Sequence, residues 1–217
     1  MNIIYLLFHG LSPYSGISKK ILHQVKGFEA CGHRVSLCTY SIADNGHRVR
    51  MINNEIIEDY GTGKPAAAKR RVSYQCIYRY TITHQVELIY ERSFHNANPF
   101  TIHLFSKLRK AGIKIAMEIP TYPYDSEYAG FPLVTRLGIQ VDKVFRKTLA
   151  KHVNAIVTFS DYHCIFGQRT IQISNGVDFD SIPLKKTVSK NTSVIHLLGV
   201  TEVHYWHGYD RLIEGLG

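Results

Sequence analysis

The chain has 217 residues, of which 45% are hydrophobic, so it suits one large α/β domain plus part of another, or two small domains. Its formal net charge of +9 favours anionic partners such as nucleotides, phosphorylated lipids or an acidic membrane surface. The basic residues are dispersed, without a helix-turn-helix, RNP or zinc pattern, which argues against nucleic acid as a partner. No apolar run approaches the length of a membrane span.

The N-terminal apolar run, Ile3–Phe8, has no basic residues before it and is too short for a signal peptide. The four cysteines form no Cys-x-x-Cys pair, and we expect all of them to be reduced thiols in or near the core. These features predict a cytoplasmic protein. Basic residues in 64–71 and 136–151 suggest peripheral contact with an anionic membrane at its inner face, and a merely solvated surface is the alternative.

The first part of the chain alternates strand and helix patterns. The run Ile3–Phe8 is typical of a buried parallel strand. A glycine-containing loop follows, and apolar residues at helical spacing then predict a helix that ends at Gly32. The segment Val35–Thr39 predicts the second strand, which completes a βαβ unit.

Residues 47–80 interrupt this alternation. Apolar residues flank Asn53-Asn54, which predicts a small hairpin inserted between the βα units. Pro65 is placed to begin a basic helix that continues to about Tyr80.

The alternation then resumes with strands at Leu88–Glu91 and Ile113–Met117. Between them, Asn98 and Pro99 have the N-cap and first-turn preferences of a helix that ends at Gly112. A long helix follows, with a predicted buried stripe of Val134, Leu137, Val141, Val144, Phe145 and Leu149.

The last elements of the first domain are two strands and a short helix. Ala155–Thr158 and Thr170–Ile173 predict the strands, and Ser160 and Gly167 predict the start and end of the helix between them. Strands that alternate with helices predict a Rossmann-like parallel β-sheet with helices on both faces.

The domain organisation follows from a change in composition. Residues 183–193 are polar and basic without periodicity, which predicts a linker. Residues 194–217 begin a strand, a turn and a helix, so we expect a first domain at 1–182 and the truncated start of a second at 194–217.

Ligands bind open parallel sheets beyond the carboxyl ends of the strands, and polar residues crowd that edge here. Glu118 ends a buried strand and suits a base, a hydroxyl acceptor or an ion-pair partner of Arg92. The loop at Gly16 precedes a helix, which favours an anion, although an ordinary βα turn explains it too. The loop at 120–128, rich in tyrosine and acid, suits sugar hydroxyls or is a capped surface loop. No histidine or cysteine spacing suits a metal, so neither a metal site nor a cofactor is predicted.

Four stretches carry a family resemblance, in order along the chain: Gly16–Lys20, Gly32–Leu37, Ile173–Asp178 and Leu198–Ile213. They are similar to a glycine loop at a helix start, a turn into strand two, a domain crossover and the opening of a second domain. With these stretches the chain resembles the N-terminal half of a GT-B glycosyltransferase of the retaining family-4 type.

The resemblance implies transfer of a sugar from a nucleotide-sugar donor, held without a metal, to a polysaccharide or lipid-linked acceptor. It implies a cleft between two Rossmann-like domains and Glu118 as the catalytic residue. The implied donor-binding residues are Ser15, Gly16, Ile17, Lys19, His207 and Gly208. The implied acceptor-binding residues are Arg92, Tyr122, Tyr124, Asp125 and Glu127, and the implied cleft residues are Ser160, Asn175 and Asp178.

The chain departs from the family pattern in two ways. Many relatives have a histidine where this chain has Glu118, and the acidic motif late in the second domain is missing. We therefore expect the 217-residue chain alone to lack transferase activity. The alternative is a nucleotide- or sugar-binding Rossmann-like module that performs no chemistry.

Overall fold

The computed structural model describes residues 1–92, 96–125, 132–176, 178–182, 197–198 and 208–216. It divides the chain into two compact units, Met1–Asp178 and Phe179–Gly217. The first unit contains a nine-stranded, mostly parallel sheet with helices on both faces, which confirms the predicted Rossmann-like α/β fold.

The first unit contains nine strands and five helices among its described residues. In chain order they are β1 (Asn2–Leu6), α1 (Gly16–Ala30), β2 (Arg34–Ile42), β3 (Arg48–Ile52), β4 (Glu55–Asp59), α2 (Gly63–Lys69), α3 (Gln75–Thr83), β5 (Leu88–Arg92), α4 (Pro99–Lys110), β6 (Lys114–Ile119), α5 (Leu133–Ala150), β7 (Ala155–Thr158), β8 (Cys164–Ile165) and β9 (Gln168–Gln172). The second unit has a 3-10 turn at Phe179–Ser181 and the helix α6 (Tyr209–Glu214).

The strand order is β4-β3-β2-β1-β5-β6-β7-β9-β8, and the strands from β2 to β9 in this order are parallel. From β1 the chain moves to β2 on one side and later returns to β5 on the other. The carboxyl ends of β1 and β5 therefore flank the topological switch point, where open α/β sheets bind their ligands.

The sheet is buried between two unequal layers. On one face, Ile21 of α1 packs on Ile3 and Tyr5 of β1. On the other face, α3, α4 and α5 cover a larger core that includes Phe105 and Ile115. The alternating residues of β1 enter different cores, as a central strand requires.

The predicted hairpin at Asn53-Asn54 is confirmed and extends the sheet. Asn53 and Asn54 have φ values of 49° and 70°, the left-handed pair of a two-residue turn between β3 and β4. Because β3 pairs antiparallel with β2, the hairpin continues the sheet beyond the parallel strands.

The single helix predicted from Pro65 to Tyr80 is wrong, because the segment forms two short helices, α2 and α3. Tyr74 lies between them and is buried, and its hydroxyl donates to the carbonyl of Arg71 at 2.7 Å. Tyr74 has a φ of −123° and a ψ of 11°, outside the helical region, so the helix is interrupted there.

The long helix is confirmed, and its predicted buried stripe is confirmed only at its end, where Leu149 is buried and Phe145 packs against the core. Three members of the stripe are exposed: Leu137, Val141 and Val144. The buried face includes Ile139 and Asp142 instead. Asp142 accepts hydrogen bonds from the Ala97 amide at 3.1 Å and the Tyr124 hydroxyl at 2.9 Å, and these distant partners fix the rotation of the helix. The side chain of Val134 lies outside the described residues.

The helix predicted to begin at Ser160 is also wrong. The chain forms the hairpin of β8 and β9 there, and Phe166 and Gly167 form its turn with φ values of 52° and 81°. Ile165 is fully buried, so one side chain of the short strand reaches the core.

The predicted burial of all four cysteines holds for only two of them. Cys38 and Cys76 are buried, whereas Cys31 and Cys164 are exposed. Cys31 follows the last turn of α1 and Cys164 lies on an edge strand, so neither faces a core.

The predicted linker at 183–193 lies outside the described residues, as does most of the predicted strand at 194–199. The helix α6 lies where the sequence predicted a helix at the start of the second domain. None of the helices that the structure describes is both long and apolar enough to traverse a lipid bilayer.

Candidate functional site

The start of α1 lies beside the switch point and is open to solvent. Ser15 is its N-cap and accepts a hydrogen bond from the Ser18 amide at 3.4 Å. A Cβ atom added to Gly16 would meet nothing within 4 Å, and Ile17 and Lys19 are exposed. These predicted donor-binding residues therefore form an accessible helix N-terminus, whose free amides favour an anion.

A buried polar network lies beneath α1, with Glu118 at its centre. Glu118 is fully buried and pairs with the guanidinium of Arg92, itself 5% exposed. Its other oxygen accepts hydrogen bonds from the Tyr90 hydroxyl at 2.6 Å and the Gln24 amide at 2.9 Å. The Tyr5 hydroxyl donates in turn to Gln24 at 2.6 Å.

The contacts of this network favour an ion pair between Glu118 and Arg92. Burial, and then the charge of Glu118, raise the pKa of Tyr90, so its hydroxyl remains a donor. With three donors on a fully buried carboxylate, the geometry favours the ion-pair alternative that the sequence left open. The catalytic role of Glu118 and the acceptor-binding role of Arg92 stay predictions.

Two lysines of α1 hold the segment that follows β9. The Lys20 ammonium donates to Asn175 Oδ1 at 2.5 Å and lies 3.5 Å from the centroid of the Phe159 ring. Lys26 pairs with Asp178 at 2.8 Å. Burial lowers the pKa of Lys20; the charge of Glu118 raises it and the charge of Arg92 lowers it, each by a smaller amount. The structure thus brings the predicted cleft residues Asn175 and Asp178 onto α1.

The predicted acceptor loop is engaged with α5 where the structure describes it. The Tyr124 side chain is buried and bonded to Asp142, as above. Asp125 accepts two hydrogen bonds from Arg146, at 2.7 and 3.0 Å, which hold the pKa of its carboxyl below the usual range. Tyr122 is half-buried and packs edge-on against Phe166 at 5.5 Å.

The remaining predicted residues are Ser160, Gly208, Glu127 and His207. Ser160 is half-buried and shares a hydrogen bond with Thr158 Oγ1 at 2.9 Å. Gly208 is the N-cap of α6 in the second unit, with a φ of 67°. Glu127 and His207 lie outside the described residues.

The sequence analysis missed a buried acid at the end of β5. Glu91 is 1% exposed, and its Oε2 atom has no hydrogen-bond partner. Burial raises the pKa of Glu91 to about 8, and the nearby charge of Asp142 contributes in the same direction. Its position in an apolar strand was the available signal, since a carboxylate there needs either a partner or a proton.

His9 and Gly10 close the loop after β1. The Nδ1 atom of His9 lies 2.8 Å from the Gly10 carbonyl oxygen, and burial lowers the pKa of the imidazole. A Cβ atom at Gly10 would lie 2.8 Å from the carbonyl oxygen of Tyr40, so only glycine allows the loop to pack on β2.

In the part of the chain that the structure describes, no group of three or more histidine, cysteine or carboxylate side chains is arranged to hold a metal ion. A scan against protein-family models gives no match for this chain, and a search of curated proteins gives no significant match.

Proposed function

We propose that the chain is the acceptor-side half of a glycosyltransferase that uses a nucleotide-sugar donor and a polysaccharide or lipid-linked acceptor. The support is the family resemblance of four ordered sequence stretches, together with an α/β fold that has a topological switch point. Fold alone does not specify chemistry, so the argument depends on the site.

The observation that carries this proposal is the open start of α1 beside the switch point. The first turn has no acidic residue, and Gly16 leaves free space where a side chain would stand. A diphosphate can approach such a helix start closely, since its oxygens accept from the first amides of the helix.

Titration of the chain with UDP- and GDP-sugars, followed by amide NMR shifts, tests this binding. We expect the shifts to centre on Ser15–Lys19, and Gly16→Leu to weaken binding about tenfold because its side chain fills the approach. Gly27→Leu is the matched control, because Gly27 lies in the same helix with nothing within 4 Å of its Cβ position. Equal loss in both variants, or shifts elsewhere, would contradict the donor assignment.

A binding module without chemistry is the second candidate. It is favoured because the carboxylates of the predicted site are already engaged in ion pairs. Glu118 is buried in an ion pair, and Asp125 is bonded to Arg146. Neither described carboxylate is presented for acid–base work at a reacting sugar.

A transfer assay tests for chemistry, because transfer by the chain would exclude the module, whereas binding without transfer is expected of both candidates. The chain is incubated with radiolabelled nucleotide-sugars and membrane extracts, with Glu118→Gln as the comparison. Binding without transfer favours the module or a transferase that needs further residues, and transfer that survives Glu118→Gln removes the catalytic assignment of Glu118.

We also propose peripheral contact of α5 with an anionic membrane. Its exposed face combines Leu137 and Val144 with the basic residues Arg136 and Lys147. Exposed apolar side chains beside basic ones are typical of helices that lie at a lipid interface.

Sedimentation with phosphatidylglycerol vesicles at low and high salt tests this contact. We expect binding that salt weakens, because salt screens the basic residues, and a further loss in Leu137→Ser/Val144→Ser, which removes apolar area only. Binding that is insensitive to both changes would remove α5 from the interface.

A further inference from the structure

Four arginines gather at the carboxyl ends of β1 and β2, on the face opposite α1. This arginine cluster consists of Arg48, Arg50, Arg70 and Arg71. Two of its members contact one ring: Arg48 Nη1 donates to the Tyr40 hydroxyl at 2.6 Å, and the Arg70 guanidinium lies 4.1 Å from the centroid of the same ring.

Arg50 lies deepest in the cluster. Its side chain is 1% exposed, and Nη1 donates to the carbonyl of Leu7, the residue after β1, at 2.7 Å. Its guanidinium also lies 5.6 Å from the centroid of the Phe8 ring. The cluster therefore contacts the loop that leaves β1 at the ligand-binding edge of the sheet.

Among the residues that the structure describes, no carboxylate forms an ion pair with the cluster. The ion pairs found in those residues involve none of the four arginines, and Glu58, opposite Arg50 in the strand register, forms no ion pair with it. The Nε atoms of Arg50 and Arg70 are buried without a hydrogen-bond partner. Buried guanidinium groups normally have an anionic partner, since an uncompensated charge is costly in the interior.

The arginines also repel one another. Burial is the main effect that lowers the pKa of Arg70; Tyr40 raises it, and the charges of Arg71, Arg48 and Arg50 each lower it by less. A bound anion would relieve both the repulsion and the unpaired donors. Planar guanidinium groups match the oxygens of phosphate, and several of them together favour a group with more than one negative charge.

We propose that the arginine cluster binds a phosphate or diphosphate group. The site is distinct from the start of α1, which lies on the other face of the sheet, and the inference does not depend on the transferase proposal. Such a group occurs in soluble sugar phosphates and nucleoside diphosphates, and also in lipid headgroups, so the test includes both sources.

The test measures binding of inorganic pyrophosphate and inorganic phosphate to the full chain by calorimetry at low salt. We expect pyrophosphate to bind more tightly than phosphate, and Arg70→Gln/Arg71→Gln to weaken pyrophosphate binding at least tenfold. Arg79→Gln is the matched control, because Arg79 is an exposed arginine on α3 outside the cluster. We expect its affinity to equal that of the unchanged chain.

Amide NMR shifts keep the proposal testable even if the double variant is poorly folded, since they are measured on the unchanged chain. Pyrophosphate should shift the amides of Tyr40 and of residues 70–71. Shifts confined to other residues, no binding at all, or an equal loss in Arg79→Gln would overturn the proposal.

Vesicles distinguish the two sources of phosphate. The vesicle test uses Leu137→Ser/Val144→Ser, in which the proposed α5 contact is weakened. Cosedimentation of this variant with phosphatidylcholine vesicles that contain phosphatidic acid, competed by pyrophosphate and lost when Arg70→Gln/Arg71→Gln is added, would support the cluster as a site for a lipid phosphate. Pyrophosphate binding without this cosedimentation would support a soluble phosphate ligand. Vesicle binding that pyrophosphate does not compete for would contradict a lipid phosphate in the cluster.

Discussion

Replacement of Glu118 by glutamine should destabilise the fold strongly. The change keeps the shape of the side chain and an acceptor for Tyr90, but it removes the charge that compensates the buried guanidinium of Arg92. Breaking a buried pair by neutralising one partner costs about 3–5 kcal/mol, because the other charge remains uncompensated. That is a large share of the ~5–15 kcal/mol that keeps a domain folded.

Urea denaturation followed by circular dichroism measures this loss. With a slope of about 2 kcal/mol/M, the midpoint should fall by roughly 1.5–2.5 M. The matched control is Asp125→Asn, which breaks an ion pair whose carboxylate is 37% exposed. An exposed pair contributes about 1 kcal/mol or less, so this midpoint should move by roughly 0.5 M at most.

A double variant checks the cause. Glu118→Gln/Arg92→Met removes both charges, keeps an acceptor for Tyr90 and Gln24, and should recover most of the stability lost in Glu118→Gln, because no uncompensated charge remains buried. A loss below about 1 kcal/mol in Glu118→Gln would refute the reasoning. It would mean that water reaches the carboxylate, and Glu118 would return as a candidate for chemistry.

Three further changes have definite expected outcomes. Folding raises the pKa of the Glu91 carboxyl from 4.5 to about 8, so the folded chain loses stability as pH rises between these values. Glu91→Gln has no such loss. In urea denaturation, its unfolding free energy should exceed that of the unchanged chain by on the order of 4 kcal/mol at pH 8 and by much less at pH 5. Arg50→Met removes a buried charge that forms no ion pair with a described carboxylate and should raise the unfolding free energy by about 1–3 kcal/mol in urea, whereas a loss would show that polar neighbours such as Tyr60 and the Leu7 carbonyl stabilise the charge. Asn98→Ala removes the capping box of α4 and should cost about 1 kcal/mol by thermal unfolding, whereas no change would mean that water replaces the cap.

The strands could be predicted because central parallel strands are short continuous apolar runs. Ile3–Phe8 and Ala155–Thr158 needed no information beyond their own residues. The cap of α4 was equally local, since Asn98 accepts from the amides of Phe100 and Thr101.

The rotation of α5 could not be predicted because the helix has apolar residues on two faces. Periodicity allows either face to be buried, and the choice is made by Asp142, whose partners Ala97 and Tyr124 come from other elements. A polar residue on the buried face is invisible to a pattern based on apolar spacing.

The candidate site shows the same division between local and distant information. The sequence identified Glu118 and Arg92 and left the ion pair open, and only the positions of Gln24 and Tyr90 around them favour that alternative. The arginine cluster was missed because β3 and the end of α2 supply its members, some twenty residues apart along the chain.

The cysteines differ in their access to an alkylating reagent, and this difference can report on local opening of the sheet. Cys31 and Cys164 are open to an alkylating reagent in the native state, whereas burial raises the pKa of the Cys38 thiol to about 11 and keeps it inert. Cys38 lies on β2 beside Arg50, so its alkylation must wait until this part of the sheet opens. The rate at which Cys38 is alkylated, compared with the rate for the exposed thiols, therefore measures how often the sheet opens next to the arginine cluster. A ligand bound to the cluster would slow the alkylation of Cys38.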